Sequence, residues 1–139
     1  MGNALHLPDC LSPELKRLAF QVGDMIWPAW SIKYGLSAIE EMRAYSLAVI
    51  GGNLVVKTVD GDTQTHYTTE QGDYVSTFDI KRRFWEGWQS FVERSCREAT
   101  VVLTEFSPVY PIIDREPYTL GFMLLWEAKP VRPQWWKPR

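Results

Sequence analysis

A chain of 139 residues that is 45% hydrophobic and 14% aromatic can bury one core of its own and is excluded from the disordered class. Its 15 Lys and Arg against 17 Asp and Glu give a net charge of −2, which does not favour a general nucleic-acid binder. Two widely separated cysteines, Cys10 and Cys96, make neither a disulfide framework nor a zinc pattern, and read as reduced thiols of a cytoplasmic protein.

The start, MGNALHLPDC, lacks the basic residues and long apolar run of a secretory signal, and His6 stands where a myristoylation pattern needs Ser or Thr. The most apolar run, residues 120–126, is far short of a membrane span. A soluble cytoplasmic protein without membrane association is expected.

Residues 1–11 read as an irregular lead-in in which His6 is incidental. Ser12, Pro13 and Glu14 supply an N-cap, an N1 proline and a first-turn acid. Leu15, Leu18, Ala19, Val22 and Ile26 then repeat at helical spacing, so an amphipathic helix is predicted over 13–26. Pro28 ends it, with Trp27 and Trp30 sealing one end of the core. Ser37-Ala38-Ile39-Glu40 is a capping box and predicts a second, short helix from Ala38. The alternation of Tyr45, Leu47 and Val49 predicts a strand near 44–50, the alternative being a helix carried on to Gly51 as its C-terminal cap. Gly51-Gly52-Asn53 reads as a hairpin turn into a strand over 54–59. Asp60-Gly61-Asp62 is a second turn, 63–69 a polar strand, Gly72 a break and 74–78 a brief extension.

The longest helical pattern covers residues 77–99. Ile80, Phe84, Trp88, Phe91 and Ser95 form its stripe, widened by Trp85, Val92 and Cys96. Ser76 and Asp79 resemble a capping box, with Asp79 itself the alternative N-cap. Gly87 within this helix costs about 1 kcal/mol against Ala. It therefore marks a close approach by another element, or the floor of a groove walled by Trp85 and Trp88. A strand rich in β-branched residues is predicted over 100–106, a proline-rich loop or edge over 107–117, and a strand over 118–128 apolar enough to be central. Residues 129–139 form a basic tail rich in Pro and Trp. The pattern predicts an α+β fold: a single domain over 1–139, an antiparallel sheet of about four to five strands, and two or three helices packed mainly on one face.

Nucleotide-binding, zinc-protease, thiol-redox and nucleophile-elbow motifs are absent. His66, beside Tyr67 and near Asp60, Asp62 and Asp73, has the residue types for acid–base or metal chemistry, but reads first as a solvated strand histidine. Cys96 lies near Arg94 and Arg97, which favour a thiolate, yet borders the apolar stripe and reads as core. Between Thr58 and Ile80 stand five acids (Asp60, Asp62, Glu70, Asp73 and Asp79) and no Lys or Arg. Such an acidic face steers a basic partner. In the tail, Pro130 and Pro133 fit a polyproline ligand, and Trp135 and Trp136 either fold back or anchor an interface.

The expected function is stoichiometric protein–protein binding without catalysis, cofactor or metal, of the kind seen in toxin-neutralising immunity proteins and phage inhibitors of host enzymes. Asp60, Asp62, Asp73, Trp135 and Trp136 are its candidate contacts, and the partner is another protein with a basic surface. The alternatives are a small enzyme or ligand-binding domain with a pocket around His66, and a single-stranded nucleic-acid binder using Lys81, Arg82, Arg83 and the tail.

Overall fold

The computed structural model describes residues 4–58, 63–64, 77–105 and 118–131. Helix α1 (Pro13–Leu18) starts where Ser12 and Pro13 place it, the Ser12 hydroxyl accepting from Leu15 N at 3.3 Å. It stops eight residues short of the predicted end. Ala19 is extended, and Phe20 pairs with Ala29 through bonds of 2.8 and 3.0 Å. Gly23, at φ 56, turns the chain between them. Val22 is buried as expected, but on the opposite side of the sheet, against Ala29, Val55 and Met123. A spacing of three to four residues could not distinguish one helical face from two sheet faces.

Strand β1 (Ala29–Ser31) runs directly into helix α2 (Ile32–Ala44). The expected capping box at residues 37–40 lies inside this helix, and Ser37 is exposed. Ala38, Ile39 and Met42 supply the buried face. The Glu41 carboxylate reaches back to accept from Ser12 N at 2.7 Å, tying α2 to the start of α1. Beyond α2, Leu47 N donates to Met42 O and Ser46 N to Arg43 O, with Ser46 at φ 61; this is a Schellman cap with Ser in the place glycine usually takes.

The predicted strand–turn–strand over 44–59 is instead one strand, β2 (Ala48–Thr58), with a bulge at Ile50. Gly51 and Gly52 make no turn. A Cβ at Gly52 would lie 2.5 Å from Met123 O and 2.7 Å from the Phe78 ring, and one at Gly51 would lie 2.8 Å from Phe78 O. The glycines are there because neighbouring strands press in on both edges. Strand β3 (Thr63–Gln64) pairs antiparallel with β2, the expected turn at 60–62 lying outside the described residues, and β4 (Thr77–Asp79) pairs with β2 at residues 51–53.

Helix α3 (Trp88–Glu105) corrects two expectations. The predicted 77–99 helix begins only after Gly87, and residues 100–105 of the predicted strand are its last turns. Phe91, Val92, Ser95, Cys96, Ala99 and Leu103 form one continuous buried stripe. Within α3, Thr100 donates its hydroxyl back to Cys96 O at 2.8 Å, the i−4 carbonyl that a helical threonine reaches. Gly87 O accepts from Phe91 N at 3.0 Å, which makes Gly87 the residue that opens the helix. A Cβ there would meet nothing within 4 Å, so the expected close approach by another element is absent.

Strand β5 (Tyr118–Glu127) is central, as its apolar run predicted. It pairs antiparallel with β1 on one side and along its full length with β2 on the other; β3 and β4 share the far edge of β2. Leu54, Val56, Phe122 and Leu124 face the three helices and bury Trp30, Ile39, Met42, Phe91 and Leu103 with them. Val55 and Met123 face the other way, under Val22, Phe20 and Trp27. The α+β class with helices on one face therefore holds.

Candidate partner-binding surface

Asp60, Asp62, Asp73, His66, Tyr67, Trp135 and Trp136 lie outside the described residues. Of the acidic stretch, Asp79 is described: it is exposed on β4, its carboxylate 3.9 Å from Lys81 Nζ. His6 is not incidental. Its ring stacks on Trp126 at 4.5 Å and meets Trp27 edge-on at 5.3 Å, and its carbonyl accepts from Trp126 Nε1 at 2.9 Å. This fastens the lead-in to the end of β5. Cys96 is buried and donates to Leu47 O at 3.5 Å; burial raises its thiol pKa, so it packs as core. Among the described residues, no three His, Cys, Asp or Glu side chains gather to hold a metal ion.

The feature that stands out is the connection from β4 to α3. Ile80 is buried and its N donates to Ile50 O at 2.9 Å, so the chain leaves β4 from a fixed point. Lys81, Arg82 and Arg83 follow, all exposed. A tight turn then closes as Glu86 N donates to Arg83 O at 3.0 Å. At its tip Phe84 is 96% exposed and Trp85 65% exposed, with the Arg83 guanidinium 5.5 Å from the centre of the Trp85 ring. The predicted helix had placed both aromatics on a packed stripe.

Glu86 and Arg94 hold this turn. Arg94, one and a half turns into α3, donates Nε to Glu86 Oε2 and Nη2 to Glu86 Oε1, both at 2.8 Å. The same Nη2 donates to Lys81 O at 2.7 Å, and Nη1 to Glu98 Oε2 at 2.8 Å. Glu86 also accepts from Arg83 N at 3.2 Å. One guanidinium thus fixes both ends of the loop to the helix, in the bidentate geometry that is strongest for this pair. The Arg94 hydrogen bonds hold the Glu86 carboxyl down at about 2, against the opposing effect of its burial, and raise the Arg94 pKa.

Glu86 has a depressed folded pKa, so its stabilisation is complete above the ordinary 4.5 and is lost as pH falls through about 2. Acidifying the protein should leave the Trp85 environment unchanged down to pH 4.5 and alter it progressively towards pH 2. Glu86→Gln should abolish that transition in tryptophan emission; an identical acid profile in the variant would show that Glu86 does not hold the turn.

Beyond the turn, Trp88 is half-buried, donates Nε1 to Ser46 O at 2.9 Å and meets Phe91 edge-on at 5.7 Å. A cleft lies on each side of it. The first, of 290 Å³, runs over Ile50, Ile80 and Phe91 with Lys81, Arg82, Asp79 and Glu127 at its edge. The second, of 550 Å³, lies between Tyr45, Leu47, Gln89 and Lys129. The groove between α2 and α3, of 320 Å³, differs from both, because its Arg43 is already engaged by Glu40 and Glu93 at 3.1 and 3.3 Å.

Three cations in the first turn of a helix oppose its dipole, and Gly87 then sits in its interior. Together these were the signals that residues 81–87 precede the helix rather than belong to it. Comparison with protein-family models, curated proteins and solved structures finds no significant match.

Proposed function

We propose that this protein is a non-catalytic binding module that associates stoichiometrically with another protein through the turn at residues 83–86. The observation that supports it is the presentation of Phe84 and Trp85 in water on a backbone pinned by the Glu86–Arg94 pair. Burying such a Phe side chain is worth about 1.5–3 kcal/mol, which a partner covering the turn would recover. A loop fixed in advance loses little entropy on docking, and Trp with Arg is the composition of interface hot spots. The acidic residues Asp60, Asp62 and Asp73, with Trp135 and Trp136, remain proposed as further contacts. A cytoplasmic setting accords with the free thiols Cys10 and Cys96. A toxin-neutralising or enzyme-inhibiting role is the kind of activity such a module would serve.

The test is affinity capture with the tagged full chain from its native cell extract at low salt. One protein should be retained in fixed molar ratio to the wild type and not to the Phe84→Ala/Trp85→Ala variant. Retention of the same protein by both, or of none by either, would overturn the proposal.

A further inference from the structure

Resting on that reading, we infer that the partner contributes an acidic segment bearing apolar side chains, which lies across the paired clefts on either side of Trp88. The clefts share Trp88 as a common wall, and the first is lined by Lys81 and Arg82, which lead directly into the clamped turn, so a chain anchored by Phe84 and Trp85 has the first cleft and then the second within reach. Their floors are apolar: Ile50, Ile80 and Phe91 in one, Leu47 in the other. Apolar side chains of the segment fit there.

Charge decides the rest. Among the described residues, Lys81, Arg82 and Lys129 line the clefts against Asp79 and Glu127, an excess of one positive charge, and the exposed Arg83 follows Arg82 directly, on a chain whose total is −2. Lys81 has Asp79 at 3.9 Å, while Arg82, Arg83 and Lys129 make no ion pair among the described residues. The other arginines nearby are committed, Arg94 to Glu86 and Glu98, Arg43 to Glu40 and Glu93. The free cations therefore select carboxylates.

Two other occupants fit less well. A second copy related by a two-fold axis would bring the same cations face to face. A single strand of nucleic acid would carry a phosphate at every residue past Asp79 and Glu127, which line the first cleft itself. A peptide can space its carboxylates to meet Arg82 and Lys129 and pass the two acids with neutral residues.

The test is fluorescence anisotropy of the full chain with labelled probes: a short peptide alternating Asp or Glu with Leu or Phe, its Lys-substituted counterpart, oligothymidylate, and phosphatidylserine vesicles. The acidic apolar peptide should bind, and more weakly as salt is raised. Arg82→Glu/Lys129→Glu should weaken that peptide at least about tenfold and gain the Lys-bearing one. Equal binding of both peptides, binding of neither, or preference for oligothymidylate or vesicles would overturn the inference. If the peptides fail while a protein is still captured through Phe84 and Trp85, the turn stands as the docking site and only the acidic segment is wrong. Loss of the capture itself would remove the binding function.

Discussion

Replacing Trp30 with alanine is expected to cost about 3–5 kcal/mol, the range for emptying the space of a large buried aromatic. Trp30 is wholly buried where β1 meets the helix layer, and its indole N–H donates to Leu15 O at 2.8 Å, which also fixes α1 against the sheet. A domain of this size has about 5–15 kcal/mol in all, so the variant would fall to the edge of folding. Urea unfolding should show a much lower midpoint with little change of slope. Trp30→Phe keeps most of the volume and loses the hydrogen bond; Leu15 O still accepts from Ala19 N at 3.1 Å, so the cost of that loss should be only about 0.5–1.5 kcal/mol, the net worth of one hydrogen bond. Equal midpoints for wild type and Trp30→Ala would contradict the placement of the core.

Gly121→Ala is the second large effect. Its Cβ would lie 2.2 Å from Trp30 O and 2.9 Å from Trp30 C, both backbone atoms of the paired strand β1. No side chain can rotate away from that clash, so β1 and β5 must separate. A cost of about 3 kcal/mol or more is expected, at or above the top of the range for overpacked sites. Gly87→Ala is the matched control. With nothing within 4 Å of its Cβ, it should cost only about 1 kcal/mol, the preference for glycine over alanine where a helix opens. Comparable losses at the two glycines would contradict the close β1–β5 contact.

These glycines show what the sequence could and could not convey. Gly87, Gly51 and Gly52 all stand among apolar residues, and turn, bulge and close approach leave the same letter. Gly87 was expected to be pressed upon and stands open, while Gly51 and Gly52 were expected to turn and lie within a strand. Local chemistry was legible where one residue type has one use. Ser12 and Pro13 opened α1 as read, and the apolar run of β5 gave a central strand. The β-branched run at 100–102 looked extended because propensity is a local quantity, whereas Leu103 packs against α2 across the fold and keeps the run helical.

The docking turn was legible only in part. Lys81, Arg82 and Arg83 were seen as a charged cluster, but Phe84 and Trp85 matched the helical period of Ile80 and Trp88 and were placed in the core. What expels them is the Glu86–Arg94 pair, eight residues apart in sequence and joined only once α3 starts at Trp88. A misplaced helix start therefore concealed both the pair and the surface it presents.

That surface is tested most directly by titration calorimetry of the captured partner into wild type and into the Phe84→Ala/Trp85→Ala variant, with the thermal midpoint of each recorded. Both side chains are in water in the free protein, so the midpoint should stay where it is. Affinity should fall by at least about 30-fold, the effect of losing a single hot-spot residue. Unchanged affinity at an unchanged midpoint would contradict the account, as would a loss of affinity matched by a loss of folded protein.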